Sequence, residues 1–213
     1  MEQFAPTRWF LVRHAPVREN NGSLYGRLDF NCDCSDSEAF GRLRTQLERL
    51  KLSENPVVLT STLKRTSQTL HALQLPCGDS EAAAFPELNE QDFGDWEGKS
   101  HQELDSTIPE IMKSFWDNAA ESIPPGGESF RQLCERVSTF VGTSTETHRG
   151  QDILCICHGG TIRSAVAHAL GLSPTQALQL KIDTLSLTVL EAYEQDNEVS
   201  CGLSWAVSGL NLR

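Results

Sequence analysis

Apolar and polar positions along this 213-residue chain follow two different periods. Three short continuous apolar runs, at 9–12, 57–59 and 153–157, read as buried strands. Between them, apolar residues recur at helical spacing. Phe40, Leu43, Leu47 and Leu50 mark a helix over 35–52, with Ser35 and Glu38 in a capping-box pattern at its start. Leu63, Thr66, Leu70 and Leu73 mark a second over 63–73. Phe130, Leu133, Val137 and Val141 mark a third over 128–147, after the break at Pro124-Pro125-Gly126-Gly127. Residues 101–118 and 161–170 also read as helical, and 85–99, with mixed character and two glycines, as an ordered loop. Leu185, Leu187 and Val189, then Val199, Cys201, Leu203 and Trp205, alternate with polar residues, which predicts a hairpin closing at Asp196-Asn197. Strands alternating with helices predict an α/β layer fold with a mostly parallel sheet.

Ligands bind such sheets at the carboxyl ends of the strands, and three strand ends here carry chemistry. The first strand stops at Arg13-His14, the second at Thr60-Ser61 and the third at His158. Arginine offers phosphate a rigid fork of donors. A neutral histidine can attack phosphorus and carry the product. Arg65 follows the second strand one turn into its helix, where free backbone N–H groups favour anions, although helical spacing alone makes it an exposed surface residue. Gly159-Gly160 after His158 allow close approach of backbone and ligand, and a protonated His158 adds positive charge opposite His14. Ester cleavage also needs a group that protonates the leaving oxygen and later activates water. The stretch 88–98 offers Glu90, Asp92, Asp95 and Glu97, and the residues alone do not choose among them. A dinucleotide-binding reading fails, because no Gly-x-Gly-x-x-Gly follows the first strand.

Composition narrows the field. No apolar run approaches the roughly 18 residues of a membrane helix, and the N-terminus lacks a signal-like basic start and apolar core, so a cytoplasmic location is expected. A net charge of −11 disfavours nucleic acid and anionic lipid as partners. Seven cysteines form no disulfide-style framework. Cys155 and Cys157 share one face of a strand and read as core, as buried thiols usually are; Cys32 and Cys34 read as structural. One domain over 1–213 is expected, with 99–128 as a cap or insert.

Several motifs occur together. They are Leu-Val-Arg-His at 11–14, Ser61 with Arg65 and Thr69, Leu-Asn-Glu-Gln-Asp-Phe-Gly-Asp-Trp-Glu-Gly at 88–98, Pro-Gly-Gly-Glu-Ser at 125–129 and His-Gly-Gly-Thr-Ile-Arg at 158–163. In this order and spacing the chain resembles the histidine phosphatase superfamily, which includes the cofactor-dependent phosphoglycerate mutases. The resemblance implies a three-layer α/β/α fold and a phosphomonoesterase that uses no metal or other cofactor. It implies His14 as the phosphohistidine, Arg13, Arg65 and His158 as ligands of the phosphoryl oxygens, Glu90 as acid and base, and Asn20 as a phosphate-pocket residue. Ala15 stands where the family usually has glycine, which is tolerable if the backbone there needs no positive φ. Asp29-Phe30-Asn31-Cys32-Asp33-Cys34 replaces the usual Asp-x-Pro-Leu-Thr.

The middle segment, shorter than in the mutases, favours a phosphatase over a mutase-type phosphoryl transferase; the intact catalytic set argues against a non-catalytic phospho-ligand binder. Arg13-His14-Ala15-Pro16 followed by Leu24-Tyr25-Gly26-Arg27-Leu28-Asp29 is similar to α-ribazole phosphatases, which act in cobalamin biosynthesis. Tyr25, Phe115 and Trp116 are candidates for an apolar wall around a nucleoside-like group. The expected partner is a small phosphorylated metabolite, and the expected assembly a monomer or homodimer.

Overall fold

A computed structural model describes residues 5–75, 82–197 and 200–213. Six strands form one sheet in the order β3-β2-β4-β1-β5-β6. They are β1 (Thr7–Arg13), β2 (Val57–Ser61), β3 (Ala83–Phe85), β4 (Asp152–Cys157), β5 (Leu187–Asn197) and β6 (Ser200–Leu212). The first four are mutually parallel through the β1–β4, β2–β4 and β2–β3 pairs; β5 runs antiparallel to β1, and β6 antiparallel to β5. The apolar runs at 9–12 and 153–157 become neighbouring central strands, and all six residues of β4 are buried. Two covered faces explain why these strands lack a polar alternate.

Each face of the sheet has its own core. Phe10, Val12, Val58, Leu154 and Ile156 pack on Phe40, Leu43 and Leu47 of α1 (Ser37–Arg49) and on Leu70 and Leu73 of α2 (Lys64–Leu73). Trp9, Leu11, Leu59, Ile153, Cys155 and Cys157 pack on α5 (Phe130–Thr147) and α6 (Gly159–Leu170). The result is three layers, helix–sheet–helix. Each fully buried Leu, Val or Phe contributes roughly 1.5–3 kcal/mol to holding them together. A third, smaller cluster joins Trp96 to Leu104, Met112 and Phe115 on α3 (His101–Thr107) and α4 (Pro109–Asp117).

Several local expectations need correction. Asp36, not Ser35, caps α1, and its side chain accepts from Ala39 N–H. The Ser35 N–H instead donates to Asp33 Oδ1 at 2.9 Å. The helix expected over 101–118 is two helices, because Pro109 pushes Ile108 out of helical geometry (φ −138°, ψ 52°) and then opens α4 at its first turn. The hairpin pairs out to Asn197 and Ser200. Asp196 and Asn197 therefore belong to β5, and the closing residues 198–199, including Val199, lie outside the described residues. The short β3 escapes the sequence pattern because an exposed Ala-Ala at a sheet edge carries no periodic signal. A last helix, α7 (Pro174–Ala177), is one capped turn.

The parallel register brings the chemistry together. Arg13 lies opposite Cys157, and Thr60 opposite Ile156. His14, Ser61 and His158 therefore leave the sheet side by side at its carboxyl edge. β3 ends on the same edge and leads through a 3₁₀ turn at Pro86–Leu88 to Asn89 and Glu90.

Candidate active site

His14 is anchored first by its backbone. Its N–H donates to Cys157 O at 3.0 Å, and the following Ala15 N–H donates to Thr69 Oγ1 at 2.9 Å. Ala15 is not among the positive-φ residues, so a methyl group at this position carries no backbone strain. The imidazole is 1 % exposed. Its Nδ1 lies 2.7 Å from Ala15 O, and because a carbonyl only accepts, Nδ1 carries the proton and Nε2 keeps its lone pair. Burial, aided by the nearby Arg65 charge, pushes the His14 pKa down to about 3. The ring is therefore neutral at neutral pH.

Arg65 is fully buried, contrary to the exposed position that helical spacing alone implies. Its Nη1 donates to Leu28 O at 2.8 Å, its Nη2 donates to Gly26 O, and its Nε donates to His158 Nδ1 at 3.2 Å. The guanidinium carbon also lies 5.1 Å from the centre of the Tyr25 ring. A buried cation needs such partners to offset its lost hydration. Arg13 donates from Nη1 to Ile182 O at 2.6 Å. Its Nε is buried and has no hydrogen-bond partner, which leaves a donor available to an anion.

His158 caps α6 from an extended conformation. Its Nε2 lies 2.8 Å from Ser61 Oγ while Nδ1 accepts from Arg65, so the ring is the Nε2–H tautomer. The expectation of a protonated His158 is corrected accordingly: burial and the charges of Arg65, His14 and Arg13 hold its pKa well below the ordinary value. The His14 and His158 rings stand edge to face with centroids 5.1 Å apart.

The four acidic candidates separate by environment. Asp92 accepts from Gly94 N–H and pairs with Arg27. Glu97 Oε1 accepts from Arg27 and Phe93 N–H. Asp95 lies against Gly126 at a tight turn. Only Glu90 faces the first turn of α6, where Gly160 N–H lies 3.1 and 3.2 Å from its two carboxylate oxygens. The Gln91 N–H donates to Glu90 Oε1 as well. α6 begins two residues earlier than the periodicity suggests, so Gly159 and Gly160 belong to its first turn, where amides lack helical acceptors and favour negative charge. A Cβ on Gly160 would sit 2.3 Å from Glu90 Oε1. The glycine there makes room for a carboxylate of the protein itself, not for a ligand.

His14, Arg13, Arg65, Glu90 and His158 thus occupy one edge. Asn20 is used locally: its Nδ2 donates to Ser23 O at 3.2 Å and its carbonyl accepts from Ser23. Of the aromatic candidates, Tyr25 lies 6.4 Å from the His14 ring, Phe115 packs on Trp96 in the small cluster, and Trp116 is exposed. Cys155 and Cys157 are core. The Cys32 and Cys34 sulfurs are 3.5 Å apart against α2, where Cys32 Sγ reaches Arg65 O and Thr69 Oγ1. Periodicity did not single out Arg163, one turn into α6. Its Nε donates to Leu180 O, and burial lowers its pKa while Glu90 opposes that shift. Nor did it single out Arg136, which holds the backbone around Glu90. Two arginines standing between apolar helix positions carry no signal of what they reach.

Comparison with known proteins gives the family. Residues 9–201 match the family model of the histidine phosphatase superfamily (branch 1). The chain is 30 % identical over 189 residues to phosphoglycerate mutase-like protein 4 of Arabidopsis thaliana, covering 87 % of this chain and 80 % of that one. It is 30 % identical over 195 residues to the metal-independent phosphoserine phosphatase of Arabidopsis thaliana, covering 89 % and 78 %. The crystal structure of the α-ribazole phosphatase from Shigella flexneri superposes with a TM-score of 0.75 at 25 % identity, covering 96 % of each chain. Matched along most of its length, and folded as its relatives are, this chain is an enzyme of the histidine phosphatase superfamily.

Proposed function

We propose that the protein is a metal-independent phosphomonoesterase that works through a phosphohistidine on His14 and acts on a small phosphorylated metabolite. The single observation that carries this reading is the state of His14. It is buried, neutral, and held through Nδ1–H so that the Nε2 lone pair is free beside two guanidinium groups.

In the first step His14 Nε2 attacks phosphorus. The bond from phosphorus to the leaving oxygen breaks, and the Glu90 carboxyl proton passes to that oxygen. In the second step the Glu90 carboxylate takes a proton from water, the water oxygen attacks phosphorus, and the P–N bond breaks. Phosphate leaves, and His14 returns to its neutral form. Arg13, through its unpaired Nε, and Arg65 stabilise charge on the equatorial oxygens. His158 stays neutral: its Nε2–H donates to Ser61 Oγ and its Nδ1 accepts from Arg65 Nε–H, so it orients the guanidinium that meets the phosphoryl group.

The motif at 13–16 and 24–29, together with the structural likeness to an α-ribazole phosphatase, makes α-ribazole 5′-phosphate the first substrate to try, with a place in cobalamin biosynthesis. Asn20 gives one Nδ2–H to Ser23 O and keeps the other for phosphate, the role its place after His14 suggests. Segment 99–128, with its own small core, serves as a cap beside the site. The acidic surface fits a cytoplasmic protein that avoids nucleic acid and membrane surfaces. Among the described residues no helix is long and apolar enough to cross a membrane.

The test is steady-state hydrolysis of p-nitrophenyl phosphate in the presence of EDTA, with His14→Ala alongside. Turnover that survives EDTA and falls at least about 10³-fold in the variant supports the reading. Wild-type rates in His14→Ala overturn it.

A further inference from the structure

The Pro-Gly-Gly-Glu-Ser motif at 125–129 is not used by the mechanism above, yet its Glu128 is three-quarters or more withdrawn from solvent, 15 % exposed, and paired with Arg136, 19 % exposed. The pairing is a fork. Arg136 Nε donates to Glu128 Oε2 at 3.0 Å, and Nη2 donates to Oε1 at 2.7 Å. Such bidentate geometry fixes direction as well as charge. The remaining donors of the same guanidinium go to the backbone that carries Glu90. Nη1 donates to Glu87 O at 2.6 Å, and Nη2 to Asn89 O at 2.8 Å and Glu90 O at 3.1 Å.

Glu128 holds the far end of the same loop. Its Oε1 accepts from Asp92 N–H at 3.1 Å, its own N–H donates to Asp92 O at 2.9 Å, and its carbonyl accepts from Gln91 Nε2 at 3.0 Å. The segment 87–92 contains no helix or strand beyond one 3₁₀ turn. It is therefore fixed from outside: Thr62 holds the Asn89 side chain and Thr161 the Leu88 and Asn89 carbonyls, while the Glu128–Arg136 pair, on α5 and the turn before it, holds the carbonyl of Glu90 itself and the Asp92 backbone. The α5 N-terminus is itself rigid, closed by a reciprocal capping box between Ser129 and Gln132.

We infer that Arg136, locked by Glu128, is a positioning residue for the acid–base step: it sets where the Glu90 carboxyl stands relative to the leaving oxygen. Neither residue touches the reacting atoms. The inference rests on the proposed role of Glu90 and deepens it.

Its consequence depends on the leaving group. An activated ester such as 2,4-dinitrophenyl phosphate expels a stable anion and needs no proton, whereas an alkyl phosphate such as glycerol phosphate does need one. The experiment compares wild type, Arg136→Met, Glu128→Gln and Glu90→Gln on both substrates, with stopped-flow release of dinitrophenolate to count the first turnover. In Arg136→Met, glycerol phosphate hydrolysis is expected to fall about 10²-fold, the usual scale of general acid catalysis. The dinitrophenolate burst is expected to keep its rate within about twofold, as for any step that bypasses that acid. In a Glu90→Gln background Arg136→Met should add no further loss, because both act through one group. Equal losses on both substrates, or a full additional loss in the double variant, would mean a merely structural role and overturn the inference. Should Arg136→Met not fold, Glu128→Gln decides, with the same selectivity at smaller size expected and no selectivity contradicting it. A wild-type burst that His14→Ala leaves intact would instead sink the phosphohistidine reading, and this inference with it.

Discussion

Gly160→Ala separates catalysis from folding at one position. The new Cβ would lie 2.3 Å from Glu90 Oε1, whereas ordinary contact begins near 3.4 Å, so the carboxylate must retreat by about 1 Å. The retreat is inexpensive for the fold, since the atom that moves is the tip of a flexible side chain. Alanine also gains something over glycine in helix propensity, less in this first turn than the ~1 kcal/mol of a helix interior. Against that stands Leu133 Cδ2, 2.8 Å from the same Cβ and fully buried, where overpacking costs about 1–3 kcal/mol. The net change in stability is therefore at most about 3 kcal/mol of destabilisation, below the usual stability of a domain of this size, and the variant stays folded. Catalysis has no such tolerance. Displacing a proton donor by about 1 Å costs on the order of 10²-fold in rate. The assay is kcat for glycerol phosphate, with thermal melting by circular dichroism as the control for folding. A folded Gly160→Ala enzyme with wild-type kcat on that substrate would refute the placement of Glu90 as the acid.

Other predictions follow from the buried charges. Arg65→Lys loses the fork that joins Gly26 O, Leu28 O and His158, and activity should fall at least about 10²-fold, as when an oxyanion donor is removed; near-normal kcat/KM in this variant would contradict a phosphoryl-binding role. The unfolded chain protonates His14 and His158 below about pH 6.5, while the folded site keeps both neutral, His14 down to about 3. The unfolded state thus binds more protons over this window. For His14 the stabilising contribution is complete above about pH 6.5 and is lost as pH falls toward 3, by roughly a factor of ten in the folding constant per pH unit, and His158 acts in the same direction. Urea midpoints at about pH 7.5 and 5.5 should therefore drop in the wild type and drop less in His14→Gln; equal drops would show that His14 is not held neutral.

The sequence disclosed the parts of this molecule whose signal is local. β1 and β4 were legible because strands buried on both faces are continuous apolar runs, and their ends at His14 and His158 marked the functional edge. α1, α2 and α5 were legible from one apolar face each. What stayed hidden depends on contacts between distant segments. Arg65 looks like a surface residue because its burial is created by carbonyls 37 and 39 residues away. The residues alone do not distinguish Glu90 from Asp92 and Glu97; the family resemblance picks it out, and what sets it apart physically is the amide of Gly160, 70 residues on. The edge strand β3, which delivers Glu90, is too short and too exposed to register as a pattern. The break at Ile108 had a local signal in Pro109, but the apolar period continues through it on both sides. His158 shows a different limit, since its tautomer is set jointly by Ser61 and Arg65 and no motif encodes which nitrogen carries the proton.

The central claim is a covalent bond between His14 and the transferred phosphoryl group. The enzyme would be mixed with a phosphomonoester carrying labelled phosphate, quenched in alkali within the first turnover, digested, and the modified peptide sequenced by mass spectrometry. The account predicts label on His14, stable to base, released by acid and absent from His14→Ala. Full turnover with no label on protein, or label on any other residue, would contradict it.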